Sequence, residues 1–364
     1  MRGRFGNINP TKSMAAPTIE YDAELQSLLS QADRKLGRLD GITQFLPNAE
    51  VLAAMYVKKE AVLSSQLDGS QASLDDVLSA EYEQGQEQEE NVGWVMRYEK
   101  AVSWGLAQLE KVPLSGRLVR SIQSRIFPGN RELPKKPGKI RRRLKRPDPE
   151  DSTPVQFAAD MEAALEVMDG YFVQDDTMPA LIKIGLLHAE LETRRRGSGR
   201  IGRMMISLWL RQKQVLTKPL LYLSYYFKKN RAEYYARLAA VRKQEDWTGW
   251  LKFFLKGVAE VADEAANSAA AILQLREDLT RKLREKDNGN ANYQKLLSYL
   301  FEQPFIKRQY VAQLLDVSNP TAGGIIDTFC QLGILEDRSP GRSRNKTYAF
   351  AEYLAILEKG TEPD

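Results

Sequence analysis

Glu192 to Arg203 reads "ETRRRGSGRIGR": three consecutive arginines, two glycines flanking a serine, then two more arginines. Gly197, Ser198 and Gly199 lead into a helix expected from Ile201 through Trp209. Glycines let backbone N–H groups approach phosphate oxygens, and a helix N-terminus adds a favourable dipole. Arg200 and Arg203 lie three apart, so both can address one anionic ligand. Taken alone, a Gly-Ser-Gly turn before a helix fits a phosphate loop and equally fits a tight turn with solvated arginines.

The rest of the chain narrows the choice. With 364 residues, 43% hydrophobic and 28% charged, the composition is that of a soluble globular protein of two or three domains. No apolar run approaches the ~20 residues of a membrane span, so no membrane partner is expected. Pro219–Phe227 ("PLLYLSYYF") is too short for one and reads as core. The single cysteine, Cys330, excludes an intrachain disulfide and points to a reducing, cytoplasmic setting. His188 is the only histidine, which excludes two-histidine metal sites and leaves one imidazole for any acid–base role. It lies one helical turn before Glu192, and a packed, hydrogen-bonded histidine is the expectation.

Helical spacing dominates. Leu25, Leu28, Leu29, Ala32, Leu36, Leu39 and Ile42 predict an amphipathic helix over 21–45. Further helices are expected over about 49–63, 74–82, 92–106, from Pro113 ("PLSGRLVRSIQSRIF"), over 155–172, 178–193 and 201–209, from Pro219 through Arg237, and over 247–285. Nothing before residue 286 alternates like a sheet, so the body reads as all-α. Two charge blocks read as loops: acidic Glu81–Glu90 and basic Arg131–Arg146, the latter inside a stretch with six prolines from Pro128 to Pro154. "DNGNAN" (287–292) is a linker by composition. Beyond it, helices over 293–301, 307–315 and 320–332 precede a strand–turn–strand, "GILEDRSPGRSRNKTYAF". That order predicts a winged helix-turn-helix, whose recognition helix, the third of these, would display Ser318, Asn319, Thr321 and Asp327. Its wing would turn Arg338, Arg342, Arg344 and Lys346 toward phosphates, making DNA a candidate partner. Protein binding is the alternative use of such a module.

"GLLHAELET…GSGRIGRMMISLWL" resembles the Fic family, whose members carry helix, H-P-F-x-(D/E)-G-N-G-R-x-x-R loop, helix. Lys58–Leu78 ("KKEAVLSSQLDGSQASLDDVL") looks like the N-terminal inhibitory segment of one Fic class, (S/T)-x-x-x-E-G, with Ser64, Asp68 and Gly69 at its positions. "LSGRLVRSIQSRI" and "MPALIKIGLLHAELET" are similar to the family's core helices, and a terminal winged helix occurs in the same class. The resemblance spans roughly 20 to 355. It implies an all-α fold divided into an unstructured 1–20, an N-terminal helical region over 21–105, a Fic core over 106–285 and a winged helix over 286–364. It implies AMP transfer from ATP, with a divalent metal such as Mg²⁺, to a Ser, Thr or Tyr hydroxyl of a protein. It also implies that Gly197, Ser198, Gly199, Arg200 and Arg203 face the phosphates, and self-association through the N-terminal helices is in keeping with it.

Several positions depart from that pattern. Only Arg194, Arg195 and Arg196 separate Thr193 from Gly197, so three positions are missing. The catalytic His-Pro has no counterpart, and Arg196 stands at the metal-binding acid. A general base contributes roughly 10²–10⁴-fold in rate, and a guanidinium repels Mg²⁺ while able to neutralise phosphate itself. The family's flap hairpin keeps Pro137, Gly138 and Arg141 or Arg142 but loses its Trp. Asp68, one methylene shorter than the family's glutamate, is expected to pair less well with Arg203. The sequence therefore predicts an adenylyltransferase scaffold with weak or absent activity, or a nucleotide-binding pseudoenzyme acting through its winged helix as a regulator.

Overall fold

The structure is a computed structural model, and it describes residues 19–46, 49–82, 90–126, 177–194, 199–287, 290–339, 341 and 346–363. The 155–172 helix, the flap residues 137–154, and Arg196, Gly197, Ser198, Arg342 and Arg344 lie outside the described residues.

Fourteen described helices surround one hydrophobic core that runs from Ile19 to Leu357. Helix α1 (Ala23–Thr43) starts where the Asp22 side chain accepts the amide of Leu25 at 2.8 Å. Its stripe of Leu25, Leu28, Ala32, Leu36 and Leu39 is buried. The stripe packs on α10 (Trp247–Asp287), a 41-residue helix about 60 Å long. Ala262, Ala265, Ala266 and Ala269 of α10 are buried. Lys35 and Arg38 reach Asp263 at 2.6 and 2.7 Å, and Lys252 reaches Asp22 and Glu24 at 2.6 Å, along the flanks of this contact. Ahead of α1, Ile19 is buried, and the Glu20 amide donates to Thr248 Oγ1 at 2.9 Å.

Helix α2 (Ala49–Leu67) is buried on nearly every side, as is usual for a helix wrapped by others. It runs four residues beyond the expected end at 63, because Ser64, Ser65, Gln66 and Leu67 are all buried and have internal partners. Helices α3 (Leu74–Tyr82), α4 (Glu90–Gln108) and α5 (Gly116–Ile126) follow; α4 packs on α2 and α5. Helices α6 (Ala180–Arg194) and α7 (Gly199–Gln212) lie against each other on either side of the Gly/Arg stretch. A Cβ at Gly202 would sit 3.1 Å from His188 Nδ1, so this glycine permits the close approach.

The single helix expected from Pro219 through Arg237 is instead two. Leu220–Leu223 are buried without helical structure, then come α8 (Ser224–Lys229) and α9 (Arg231–Gln244), separated at Asn230 with φ −114° and ψ 38°. Buried aromatics on both sides of the break, Phe227 and Tyr234, stack 4.5 Å apart, which the two-helix bend makes possible.

After α10 the chain enters a smaller unit: α11 (Ala291–Glu302), β1 (Phe305–Lys307), α12 (Arg308–Leu315), α13 (Asn319–Gln331), β2 (Glu336–Asp337), β3 (Thr347–Ala349) and α14 (Ala351–Glu358). The strands form an antiparallel sheet in the order β1-β3-β2, with Phe305 and Glu336 both opposite Ala349. Ser318 Oγ accepts the amide of Thr321 at 3.3 Å and, with Pro320 in the first turn, starts α13. The three helices and the hairpin match the expected order. Strand β1 and helix α14 were not expected: β1 is too short to show alternation, and α14 follows a strand with no intervening turn signal.

Candidate functional site

The site grows from the last turn of α2 and the first turn of α7. Helix α2 ends because Gly69 takes φ +95°, a left-handed conformation that glycine adopts without strain. The amides of Asp68 and Ser70 close back on Ser65 O at 3.0 and 3.1 Å, and that of Gly69 on Gln66 O at 3.0 Å. This turn aims the Asp68 carboxylate at α7.

Arg203 is buried, with 2% of its side chain exposed. Its Nε donates to Ser64 Oγ at 2.8 Å, and its Nη2 donates to Ser64 O at 3.1 Å and to Asp68 Oδ2 at 2.9 Å. Its Nη1 donates to Glu192 Oε1 at 3.3 Å. Burial alone would lower its pKa; Asp68 and Glu192 outweigh burial and hold it above the ordinary value. Arg200 Nε donates to the same Asp68 Oδ2, while its guanidinium lies 4.0 Å above the Trp94 ring. The Tyr98 hydroxyl donates to Arg200 O at 3.1 Å. Although one methylene shorter than the family's glutamate, Asp68 pairs with both arginines. Its position on the turn, set by Gly69, brings one oxygen within reach of both arginines.

Behind Arg203 runs a buried polar chain. The Tyr234 hydroxyl donates to Glu192 Oε1 at 2.9 Å and lies 3.0 Å from His188 Nε2. Because Tyr234 has one proton and gives it to Glu192, Nε2 carries the histidine's proton. Nδ1 is then the acceptor nitrogen, and it faces the backbone of Gly202 on α7. Burial lowers the His188 pKa to about 3, so the ring is neutral. It stacks between Trp250 and Phe227, at 5.7 and 5.2 Å. Burial raises the Glu192 carboxyl above its ordinary value, with Arg203 opposing. Glu60, four residues before Ser64, accepts from the Ser224 amide at 3.1 Å and from its hydroxyl. Burial pushes its pKa up to about 7.

Ser64, Asp68, Gly69, Arg200 and Arg203 thus meet in one place, with Gly199 at the start of α7. Glu192, Tyr234, Trp94 and Tyr98 complete the cluster, and sequence reading did not assign them to it. The His188–Glu192 spacing of one turn was a usable signal, but nothing local links Tyr234 to residues 42 positions away. Among the described residues no group of three or more His, Cys, Asp and Glu side chains is placed to hold a metal ion. A cleft of about 470 Å³ beside Glu110, Pro113, Arg211 and Gln214 lies at the other end of α7 and includes neither arginine of the site.

In the smaller unit, Asn319 and Thr321 are exposed at the start of α13, together with Ser318, Pro320, Gly324 and Asp327. Two cations expected to face phosphates face acids of the chain itself: Lys346 Nζ lies 2.6 Å from Asp337 Oδ2, and Arg338 lies 3.9 Å from Asp75. No helix among the described residues is long and apolar enough to cross a membrane.

Residues 26–107 match the family model described as Fic/DOC family N-terminal, a span that contains α2, α3 and the Asp68 turn. A Fic family protein from Desulfovibrio desulfuricans G20 is similar in structure, with a TM-score of 0.50 over 92% of this chain and 98% of its own, at 15% identity. The N-terminal helices thus match a Fic/DOC N-terminal region by sequence, and the chain is similar in fold to a Fic family protein.

Proposed function

We propose that the protein is a Fic-type adenylyltransferase scaffold that binds ATP through Arg200 and Arg203 at the start of α7, and that its AMP transfer to protein hydroxyls is weak or absent. The observation that carries this reading is the convergence of both arginines on one carboxylate oxygen, Asp68 Oδ2, at a helix N-terminus. Two guanidinium groups directed at a single anionic oxygen there fit a phosphate oxygen equally well. With Asp68 in place the described cluster pairs two cations with two anions, Asp68 and Glu192. Only when Asp68 withdraws does a net positive charge face a ligand. Bound ATP would supply the transferable AMP, and Mg²⁺, where used, would share the phosphate charge.

The reduced activity follows from the residues present. The only histidine is fully buried among aromatic rings, with Tyr234 at its Nε2, so it cannot meet an incoming hydroxyl. Calorimetry with ATP, with and without Mg²⁺, tests the binding. Asp68→Gly should tighten ATP by about tenfold or more, since it removes a charge-assisted competitor of roughly 1.5–3 kcal/mol. Binding that persists without Mg²⁺ would support a phosphate contact by Arg196. An ATP analogue tagged on the α-phosphate side should give no self-labelling. Absence of ATP binding in parent and variant alike would leave a structural fold.

A second reading, regulation through the smaller unit as a winged helix on DNA, is favoured by the exposed start of α13 (Asn319 and Thr321). The pairing of Lys346 and Arg338 with Asp337 and Asp75 leaves Arg342 and Arg344 as the wing's main phosphate contacts in this reading. DNA affinity should then fall steeply with salt and drop on Arg342→Ala/Arg344→Ala. No mobility shift with mixed DNA at low salt would remove this reading.

A further inference from the structure

The turn that carries Asp68 is gripped from outside by the segment following α14. Gln66, two residues before Asp68 and buried, bridges three pieces of chain. Its Nε2 donates to Ala72 O at 2.9 Å, across the α2–α3 turn, and to Thr361 O at 2.7 Å. Its Oε1 accepts from Lys228 Nζ at 2.9 Å, and the same ammonium donates to Glu362 O. Thr361 is buried at 2% exposure. Its amide and its hydroxyl both donate to Glu358 O at 2.7 Å, folding the segment back at the end of α14.

The route of this segment is specified. Gly360 has φ +83°, and a Cβ there would fall 2.2 Å from the Tyr225 ring, so both conformation and space demand glycine. Lys359 Nζ pairs with Glu264 on α10 at 2.9 Å. Tyr353, Leu354 and Leu357 of α14 are buried, and the helix packs against α2, α3 and α10. The smaller unit also touches α3 directly: the Phe305 and Tyr82 rings are 6.5 Å apart, Lys307 Nζ lies 5.2 Å from the Tyr82 ring, and Arg338 approaches Asp75. The inhibitory-type turn is therefore bounded on one side by Arg200 and Arg203 and on the other by residues 358–362.

We propose that the segment Lys359–Glu362 is a latch on the α2–α3 turn: its seating on Gln66 and Lys228 sets how readily Asp68 leaves Arg200 and Arg203, and so couples the smaller C-terminal unit to the nucleotide site. The consequence for ATP rests on the ATP-binding reading above; the mechanical coupling does not. Removing the latch takes away the Thr361 acceptor and the Glu362 contact. Lost hydrogen bonds at about 0.5–1.5 kcal/mol each correspond to about a tenfold change in a local opening equilibrium.

Two variants test this in the full protein: deletion of residues 360–364, and Lys228→Met, which keeps the aliphatic stem but removes both donor contacts. Hydrogen exchange is followed at the bonded amides of Asp68, Gly69 and Ser70, with Ala322 in α13 as the reference for an intact fold. The expected result is about tenfold or faster exchange at the three turn amides in both variants, with Ala322 unchanged. In parallel, ATP affinity should rise in the deletion variant, and the deletion should add nothing once Asp68→Gly is present. Turn amides that exchange at the parent rate after the deletion would overturn the latch. So would faster exchange with unchanged ATP affinity in a protein whose affinity does respond to Asp68→Gly. If ATP binds to none of these proteins, the ATP-binding reading fails while the exchange result still decides the latch.

Discussion

At the scale of single residues, the most informative side chain is the chain's only histidine. Its ring is neutral, caged by Trp250 and Phe227, and its proton chain ends on Glu192 beside Arg203. Because burial depresses the folded pKa to about 3, below the ordinary 6.5, the unfolded chain takes up the proton first as pH falls. The stability associated with His188 is thus fully present above pH 6.5 and is lost as pH falls toward 3, by up to about 1.4 kcal/mol per pH unit. Glu60 acts in the opposite sense: its raised pKa of about 7 makes the fold less stable as pH rises above the ordinary carboxylate range. Comparing the parent with His188→Phe isolates the imidazole, since Phe keeps the stacking and cannot titrate. Urea unfolding from pH 7 to pH 4.5 should show the parent losing about 2–3 kcal/mol relative to the variant. A difference that stays constant across this range would mean that His188 is not held neutral.

At the scale of elements, the α2–α3 turn does two jobs. It ends a helix that is buried almost all round, and it sets the direction of Asp68. Gly69 makes both possible through its positive φ. Gly69→Ala places a Cβ in a left-handed conformation that costs about 1–2 kcal/mol. Nothing lies within 4 Å of that Cβ, so the cost is conformational and not steric. Denaturant midpoints should shift accordingly without a change in slope, and an unchanged midpoint would show that the turn tolerates the substitution. The same element explains how Asp68 reaches both arginines. Judged by side-chain length, an aspartate reaches less far than a glutamate. Judged by the turn that carries it, its oxygen lies between Arg200 and Arg203.

At the scale of the whole molecule, the sequence by itself was enough for the all-α body. The apolar stripe of α1, the existence of α2 and the helix–loop–helix around Glu192–Arg203 all depend on periodicity and glycine placement, which are local properties. The order of helices and strands beyond residue 290 was legible for the same reason, while β1, at three residues, is shorter than any alternation can reveal. Local rules failed at Pro219–Arg237, where apolar spacing continues across Asn230 but the stack of Phe227 on Tyr234 divides the segment into two helices. The candidate site was legible in half. Arg200 and Arg203 were marked by their spacing at a helix start, and Ser64, Asp68 and Gly69 by the resemblance of their segment to an inhibitory motif. Glu192, Tyr234 and Trp94 became partners only because α4, α6 and α9 converge on α7. Gln66 met Thr361 only because α14 packs against α2 and α10, bringing together residues 295 positions apart. Helical periodicity, capping and turn chemistry act over a few residues, so the sequence determined the elements and the arginine-bearing helix start. Which charges neutralise those arginines depends on long-range burial, and only the tertiary structure decided it.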